Sequence, residues 1–142
     1  MTDKGNNFSV SREIRGGCVC YRIGWSPFIR MDRYLVHAVI PSESGVFQVF
    51  RNTGGRLEML MMDKAYYGGV RNRIRELIDP LYHGFNPYKK EILDSECYVR
   101  YSLVSSHGDM EDILHFFTDQ TPSGRFESVM VDERETLEIR KD

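Results

Sequence analysis

No apolar run in this chain approaches the roughly 18 residues that a membrane-crossing helix requires. The opening Met1-Thr2-Asp3-Lys4-Gly5-Asn6-Asn7 is polar where a secretory signal is apolar. A cytoplasmic protein with no membrane partner is expected. Cysteine is scarce: Cys18, Cys20 and Cys97 form an odd set too small for a disulfide framework. Cys18 and Cys20 would share one face of a strand, but no further Cys or His lies near enough in sequence to complete a metal site. They read as small buried apolar side chains. Gly54-Gly55 and Gly68-Gly69 are isolated pairs without the lysine-serine signature of a phosphate loop. No spacing supports a Ser-His-Asp or Cys-His arrangement. His37, His83, His107 and His115 are scattered, and although the last two sit about two helical turns apart, two imidazoles alone rarely hold a metal. There is no repeat, low-complexity tract or dividing linker. Neither sign of charge dominates, and the net charge of −2 is not that of a protein that coats nucleic acid.

What is present fits one globular α/β domain over residues 1–142, 41% hydrophobic and 28% charged, long enough to bury a single core. Residues 1–8 and 133–142 are expected to be flexible ends. Charge is uneven along the chain. Residues 51–90 hold eight Lys or Arg (Arg51, Arg56, Lys64, Arg71, Arg73, Arg75, Lys89, Lys90) against four acids, whereas acids predominate from Asp109 onward. A basic middle of this kind suits an anion, or is a solvated helix face.

Hydrophobic patterning predicts short extended segments over residues 18–25 and 34–40. Residues 46–51 and 57–62 are strands joined at Asn52-Thr53-Gly54-Gly55, a hairpin whose glycines admit positive φ. Val70, Ile74, Leu77, Ile78 and Leu81 share a helical face, with Pro80 ending or kinking the helix. Residues 81–90 read as loop and residues 97–104 as a third strand. Ser105 or Ser106 caps a final helix whose apolar face is Met110, Ile113, Leu114 and Phe117. Residues 126–131 read as an edge strand. Met59, Met61 and Met62 are an adaptable partner surface if they face outward, while the alternation of strand positions favours burial of at least one face.

The order of Gly45-Val46-Phe47 on a first strand, Met61-Met62-Asp63-Lys64-Ala65 closing a second, and Val70-Arg71-Asn72-Arg73-Ile74 opening a helix resembles the GIY-YIG nuclease family over residues 40–117. The resemblance implies a small central antiparallel sheet of three core strands flanked by helices; residues 18–40, outside the match, are a further source of strands for that sheet. In that family one tyrosine from each motif lines the site, a helix arginine steadies phosphate, and a glutamate on a later helix holds a divalent metal. Here Phe47 stands at the first tyrosine position and lacks a hydroxyl. Met61 stands at the second, and Asp63 replaces a glycine, placing a carboxylate that repels phosphate. Arg73 best matches the family arginine, with Arg71 as substitute. Glu111, Asp112 and His115 lie near the place of the metal-binding glutamate.

The reading that follows is a GIY-YIG-like binding domain without cleavage chemistry and without a cofactor. It would contact nucleic acid through Lys64, Arg71, Arg73 and Arg75, or a protein through an apolar face. One alternative is a Mg²⁺- or Mn²⁺-dependent nuclease in which Tyr66 or Tyr67 supplies the hydroxyl, Arg73 the phosphate contact and Glu111 the metal ligand. Another is an oligomerising structural protein of unrelated α/β fold. The oligomeric state is left open by the sequence.

Overall fold

The computed structural model describes residues 8–82, 84–118, 126–132 and 136–141. Strands β1 (Val10–Arg15) and β2 (Cys18–Gly24) form an antiparallel pair. After a short β3 (Ile29–Arg30) comes helix α1 (Arg33–Val39), so most of the 34–40 segment is helical rather than extended. The cause is local. The Asp32 carboxylate accepts the Tyr34 and Leu35 N–H groups at 2.7 and 3.1 Å, an N-cap. Val36 and Ile40, four residues apart, are both fully buried.

The expected hairpin is β4 (Gly45–Thr53) and β5 (Arg56–Ala65). Gly54 and Gly55 both have positive φ, 59° and 89°, as a two-residue primed turn requires. Asn52 Oδ1 accepts the Gly55 N–H at 2.9 Å. Helix α2 (Gly69–Ile78) follows. It stops ahead of Pro80, so Leu81 lies past the helix and is exposed instead of extending the buried face. Lys89 and Lys90 are not loop residues but the first turn of α3 (Lys89–Asp94). Strand β6 (Cys97–Leu103) and helix α4 (His107–Thr118) come next. Ser106 caps α4, its Oγ accepting the Asp109 N–H at 3.2 Å. Strands β7 (Phe126–Asp132) and β8 (Thr136–Lys141) complete the described chain.

The protein is α/β, with two four-stranded sheets ordered β3-β6-β4-β5 and β1-β2-β8-β7 and antiparallel pairing between the named strands. The expected three-stranded core is present as β6-β4-β5 with β4 central, and β3 extends it. β1 and β2 join the second sheet instead. The ends also differ from expectation. β7 is an edge strand, as predicted, but β8 lies between β2 and β7 rather than forming a flexible tail. Phe8 is not frayed either: its ring meets Tyr101 edge to face and its carbonyl accepts the Leu103 N–H at 2.8 Å.

Strand alternation divides the core sheet into two faces. Phe47, Val49 and Tyr101 pack with Val36, Val70, Ile74 and Leu77 from α1 and α2. Val46 and Met62 pack on the other side with Met110 and Ile113 of α4 and with Tyr21, Ile23 and Trp25. Neighbouring strands approach closely at Gly45, where a Cβ would stand 2.4 Å from the Ser102 carbonyl oxygen, so the first residue of the Gly-Val-Phe triplet is fixed by packing. Cys20 and Cys97 are buried free thiols, as expected of small apolar side chains. The Cys18 side chain lies outside the described part.

Candidate functional site

Of the residues singled out by sequence, Asp63, Lys64, Arg73 and Glu111 gather around the C-terminal half of β5, the free edge of the core sheet among the described residues. Asp63 lies opposite Phe47 in the ladder and Lys64 opposite Val46, so the two side chains emerge on opposite faces of the sheet. On the α2 face, Arg73 Nη2 donates to Asp63 Oδ2 at 3.2 Å. The other Asp63 oxygen accepts the Lys64 backbone N–H at 2.7 Å. On the α4 face, the Lys64 ammonium pairs with the Glu111 carboxylate. His107 Nε2 lies 3.4 Å from that carboxylate, one helical turn away, and the imidazole meets the Tyr66 ring edge to face at 5.5 Å. Tyr66 in turn meets Tyr67, and both rings are solvent-exposed rather than in the core.

Arg73 and Glu111 are thus held by successive residues of one strand, on its two sides, each already engaged by a group of opposite charge. Phe47 lines no site: it is fully buried in the core. Met61 and Met62 also take opposite faces, with Met59 exposed. Among the described residues, no cluster of three His, Cys, Asp or Glu side chains is arranged to hold a metal ion. Asp112 faces Tyr21 rather than the β5 edge, and His83 lies outside the described residues.

The three arginines of α2 do not form one surface. Arg71 and Arg73 are separated by about 200° around the helix. Arg71 Nε donates to the Ile40 carbonyl at 2.6 Å, on the side of α1, while Arg73 faces β5. Arg75 lines a depression with Arg33 on the α1 side. The α2 N-terminus is not open to an anion, because its Val70 and Arg71 N–H groups donate to the Glu43 and Pro41 carbonyls at 2.8 and 3.3 Å. Gly69 makes this approach feasible: with φ of 78°, its absent Cβ would stand 2.5 Å from Ser42 C.

Most of the basic middle is likewise occupied. Arg51 bridges Glu58 and Glu91, and Lys90 pairs with Asp94. The Arg51 hydrogen bond holds the Glu58 carboxyl below its usual range. Lys89 donates to the Glu76, Asp79 and Tyr82 carbonyls at 2.7, 2.6 and 3.3 Å, closing the C-terminus of α2 where a cation is favoured. Five of the eight basic residues of this segment, Arg51, Lys64, Arg73, Lys89 and Lys90, are thus engaged by acidic side chains or helix carbonyls.

What the β5 edge does have is a cavity of about 280 Å³ between the strand, α2 and the segment leading into α3. Met61, Asp63 and Arg73 line it with Tyr82, Phe85 and Tyr88. Asn86 holds the segment in place, its Nδ2 donating to Met61 Sδ at 3.6 Å and its Oδ1 accepting the Tyr88 N–H at 2.7 Å. Phe85 is 93% exposed, an unusual position for a large ring with no partner to cover it. Sequence reading treated residues 81–90 only as a loop. Three aromatic residues within seven positions were the signal available there.

The chain belongs to a family of uncharacterised proteins. The family model matches residues 9–142, and the description it carries is simply "uncharacterised protein". No curated protein and no solved structure matches the chain. Among the described residues no helix is long and apolar enough to cross a membrane.

Proposed function

We propose that this protein is a binding domain on a GIY-YIG-like scaffold without nuclease chemistry, and that its binding surface is the free edge of β5 with the adjoining aromatic-rimmed cavity. One observation carries the reading. Asp63, at the position where the resemblance implies a glycine, lies 3.2 Å from Arg73, the residue the resemblance assigns to phosphate. The carboxylate both repels phosphate and neutralises the cation meant to receive it. Phe47 adds to this, since a buried ring without a hydroxyl cannot activate water. Lys64 compensates Glu111 in the same way, which disfavours a divalent cation at that carboxylate.

The occupant that suits this edge is a polypeptide. An unpaired strand edge offers backbone donors and acceptors to an added strand. The Tyr82, Phe85 and Tyr88 rim offers an apolar seat for one of its side chains.

Two measurements test the reading. Purified protein is incubated with labelled single- and double-stranded DNA and RNA, with and without Mg²⁺ or Mn²⁺, and both retention and cleavage are read on one gel. Neither is expected at physiological salt. Metal-dependent cleavage lost in Arg73→Ala would make the protein a nuclease and sink the proposal. In parallel, a photo-crosslinking residue is placed at Phe85, with a control at the exposed Tyr34 of α1. A discrete polypeptide adduct from position 85 alone is expected. No adduct there, together with nucleic-acid retention on the gel, would transfer the function to a nucleic-acid partner.

A further inference from the structure

A second cavity, of about 590 Å³, lies across α2 from the β5 edge, between α1, β3 and the end of β6. Its volume is in the range of small-molecule sites. The walls are mainly apolar, with Phe8, Ile29, Val39, Ile40 and Leu103 among the lining residues. Besides Ser26, whose Oγ donates to the Pro27 carbonyl and accepts the Tyr101 N–H, three polar side chains enter this lining. The first is Arg71. Its Nε is anchored on the Ile40 carbonyl at 2.6 Å, which fixes the guanidinium plane, and no carboxylate pairs with it among the described residues. The second is Tyr101, whose ring is 4% exposed while its hydroxyl makes no hydrogen bond among the described residues. The third is Glu43, at the mouth.

We propose that this cavity binds a small organic anion, with an apolar or aromatic body against the Phe8, Ile29 and Leu103 wall and one carboxylate or sulfonate on the free nitrogens of Arg71. A guanidinium already oriented by one hydrogen bond presents its remaining N–H groups as a preformed fork for such an anion. Tyr101 supplies a second donor. Its hydroxyl is held above its usual pKa by burial and then by the charge of Glu43, so it stays protonated throughout the neutral range. Glu43 sets the sign preference at the mouth: it opposes the anion and restricts occupancy to ligands that bury enough apolar surface to overcome it. The contrast with Arg73 is direct, since that arginine is ion-paired with Asp63, whereas Arg71 forms no ion pair among the described residues.

The probe is 8-anilinonaphthalene-1-sulfonate, an aromatic body carrying a single sulfonate, titrated against the full chain and followed by its fluorescence. Saturable single-site binding is expected. Arg71→Gln weakens it by about tenfold or more, the loss of a charge-assisted hydrogen bond. Glu43→Gln tightens it several-fold. Ala38→Trp, which fills the cavity from an exposed position on α1, abolishes it. That variant keeps the test valid if loss of the Arg71–Ile40 tie unfolds the chain. Phe85→Ala leaves binding unchanged. Binding that survives both Arg71→Gln and Ala38→Trp, or that disappears in Phe85→Ala, overturns the proposal and places the dye on the β5 side. Equal affinity for the uncharged N-phenyl-1-naphthylamine, or no binding at all, overturns it as well. These titrations are separate from the crosslinking and gel measurements on the β5 edge, so failure of one site is distinguishable from failure of the other.

Discussion

The two faces of the core sheet are built on different principles. The face covered by α1 and α2 is apolar at its centre, with Phe47, Val49, Val70 and Ile74 fully buried, and the cavities lined by Arg73 and by Arg71 open along its margins. The face toward α4 contains several polar groups that are used up internally, the buried Trp25 Nε1 being without a hydrogen-bond partner among the described residues. Arg100 Nε donates to Gln48 Oε1 at 2.8 Å, and its guanidinium lies over the rings of Trp25, Phe28 and Phe50 at 4.7, 5.1 and 5.5 Å. Ser102 Oγ donates to the Gly24 carbonyl at 2.8 Å. The Tyr21 hydroxyl lies 3.0 Å from Asp109 and 2.7 Å from Asp112, linking the second sheet to α4. Buried polarity on this side holds one sheet to the other. Both proposed binding sites lie on the first face, where polar groups stand at the rims of the two cavities.

Phe47 is the sharpest place to break this comparison. If it is a core residue and nothing else, Phe47→Ala costs about 3–5 kcal/mol, read from urea unfolding. Phe47→Tyr is more telling, because it restores the hydroxyl that the family resemblance implies. In a fully buried position that hydroxyl has no solvent, and its burial costs about 1–3 kcal/mol with no gain of metal-dependent cleavage. Tolerance of tyrosine, or cleavage, would show that the first face opens more than its packing implies.

The opposite face is tested by alkali. Burial, and then the hydrogen bonds to Asp112 and Asp109, raise the Tyr21 pKa far above its usual value. Above about pH 10 the unfolded chain loses this proton while the native state keeps it, so the unfolded state binds fewer protons and stability falls as pH rises. Tyr21→Phe costs about 1–3 kcal/mol at neutral pH, by removing the one hydroxyl proton that the Asp109 and Asp112 carboxylates share. It also flattens the alkaline slope. Tyr98 and Tyr101 are raised too, so a shallower slope remains. An unchanged slope in Tyr21→Phe would mean that Tyr21 does not tie the second sheet to α4 in this way.

How much of this was legible beforehand depends on the range of the interactions involved. The β4–β5 hairpin could be read because its alternation and its Asn52-to-Gly55 turn lie within a few residues of each other. The same holds for α2 between Gly69 and Pro80. Helix α1 was missed because Val36-His37-Ala38-Val39-Ile40 has a strand-like composition, and the deciding group, Asp32, stands just outside it. β8 was missed because its partners are β2 and β7, one of them more than a hundred residues away. Individual site residues were legible by type, but their pairing was not. Lys64 and Glu111 are 47 positions apart, and nothing in either neighbourhood says that each cancels the other. Asp63 could be read as hostile to phosphate, yet its role as partner of Arg73 appears only once α2 folds back across β5.

The smallest expected effect on stability decides most about function. Asp63 and Arg73 are 32% and 49% exposed, so their ion pair contributes about 0–1 kcal/mol, and Asp63→Asn should leave the unfolding midpoint nearly unchanged. The asparagine oxygen still accepts the Lys64 N–H that Asp63 accepts now, so the strand edge keeps its geometry. What changes is charge: Arg73 loses its counter-ion. If Asp63 is what silences this edge toward phosphate, Asp63→Asn gains retention of nucleic acid that weakens steeply with added salt, and the double variant Asp63→Asn/Arg73→Gln loses it again. Retention that is absent in Asp63→Asn, or that persists without Arg73, would show that more than one carboxylate separates this surface from a phosphate-binding one. The difference between the two margins of α2 would then lie in shape rather than in charge.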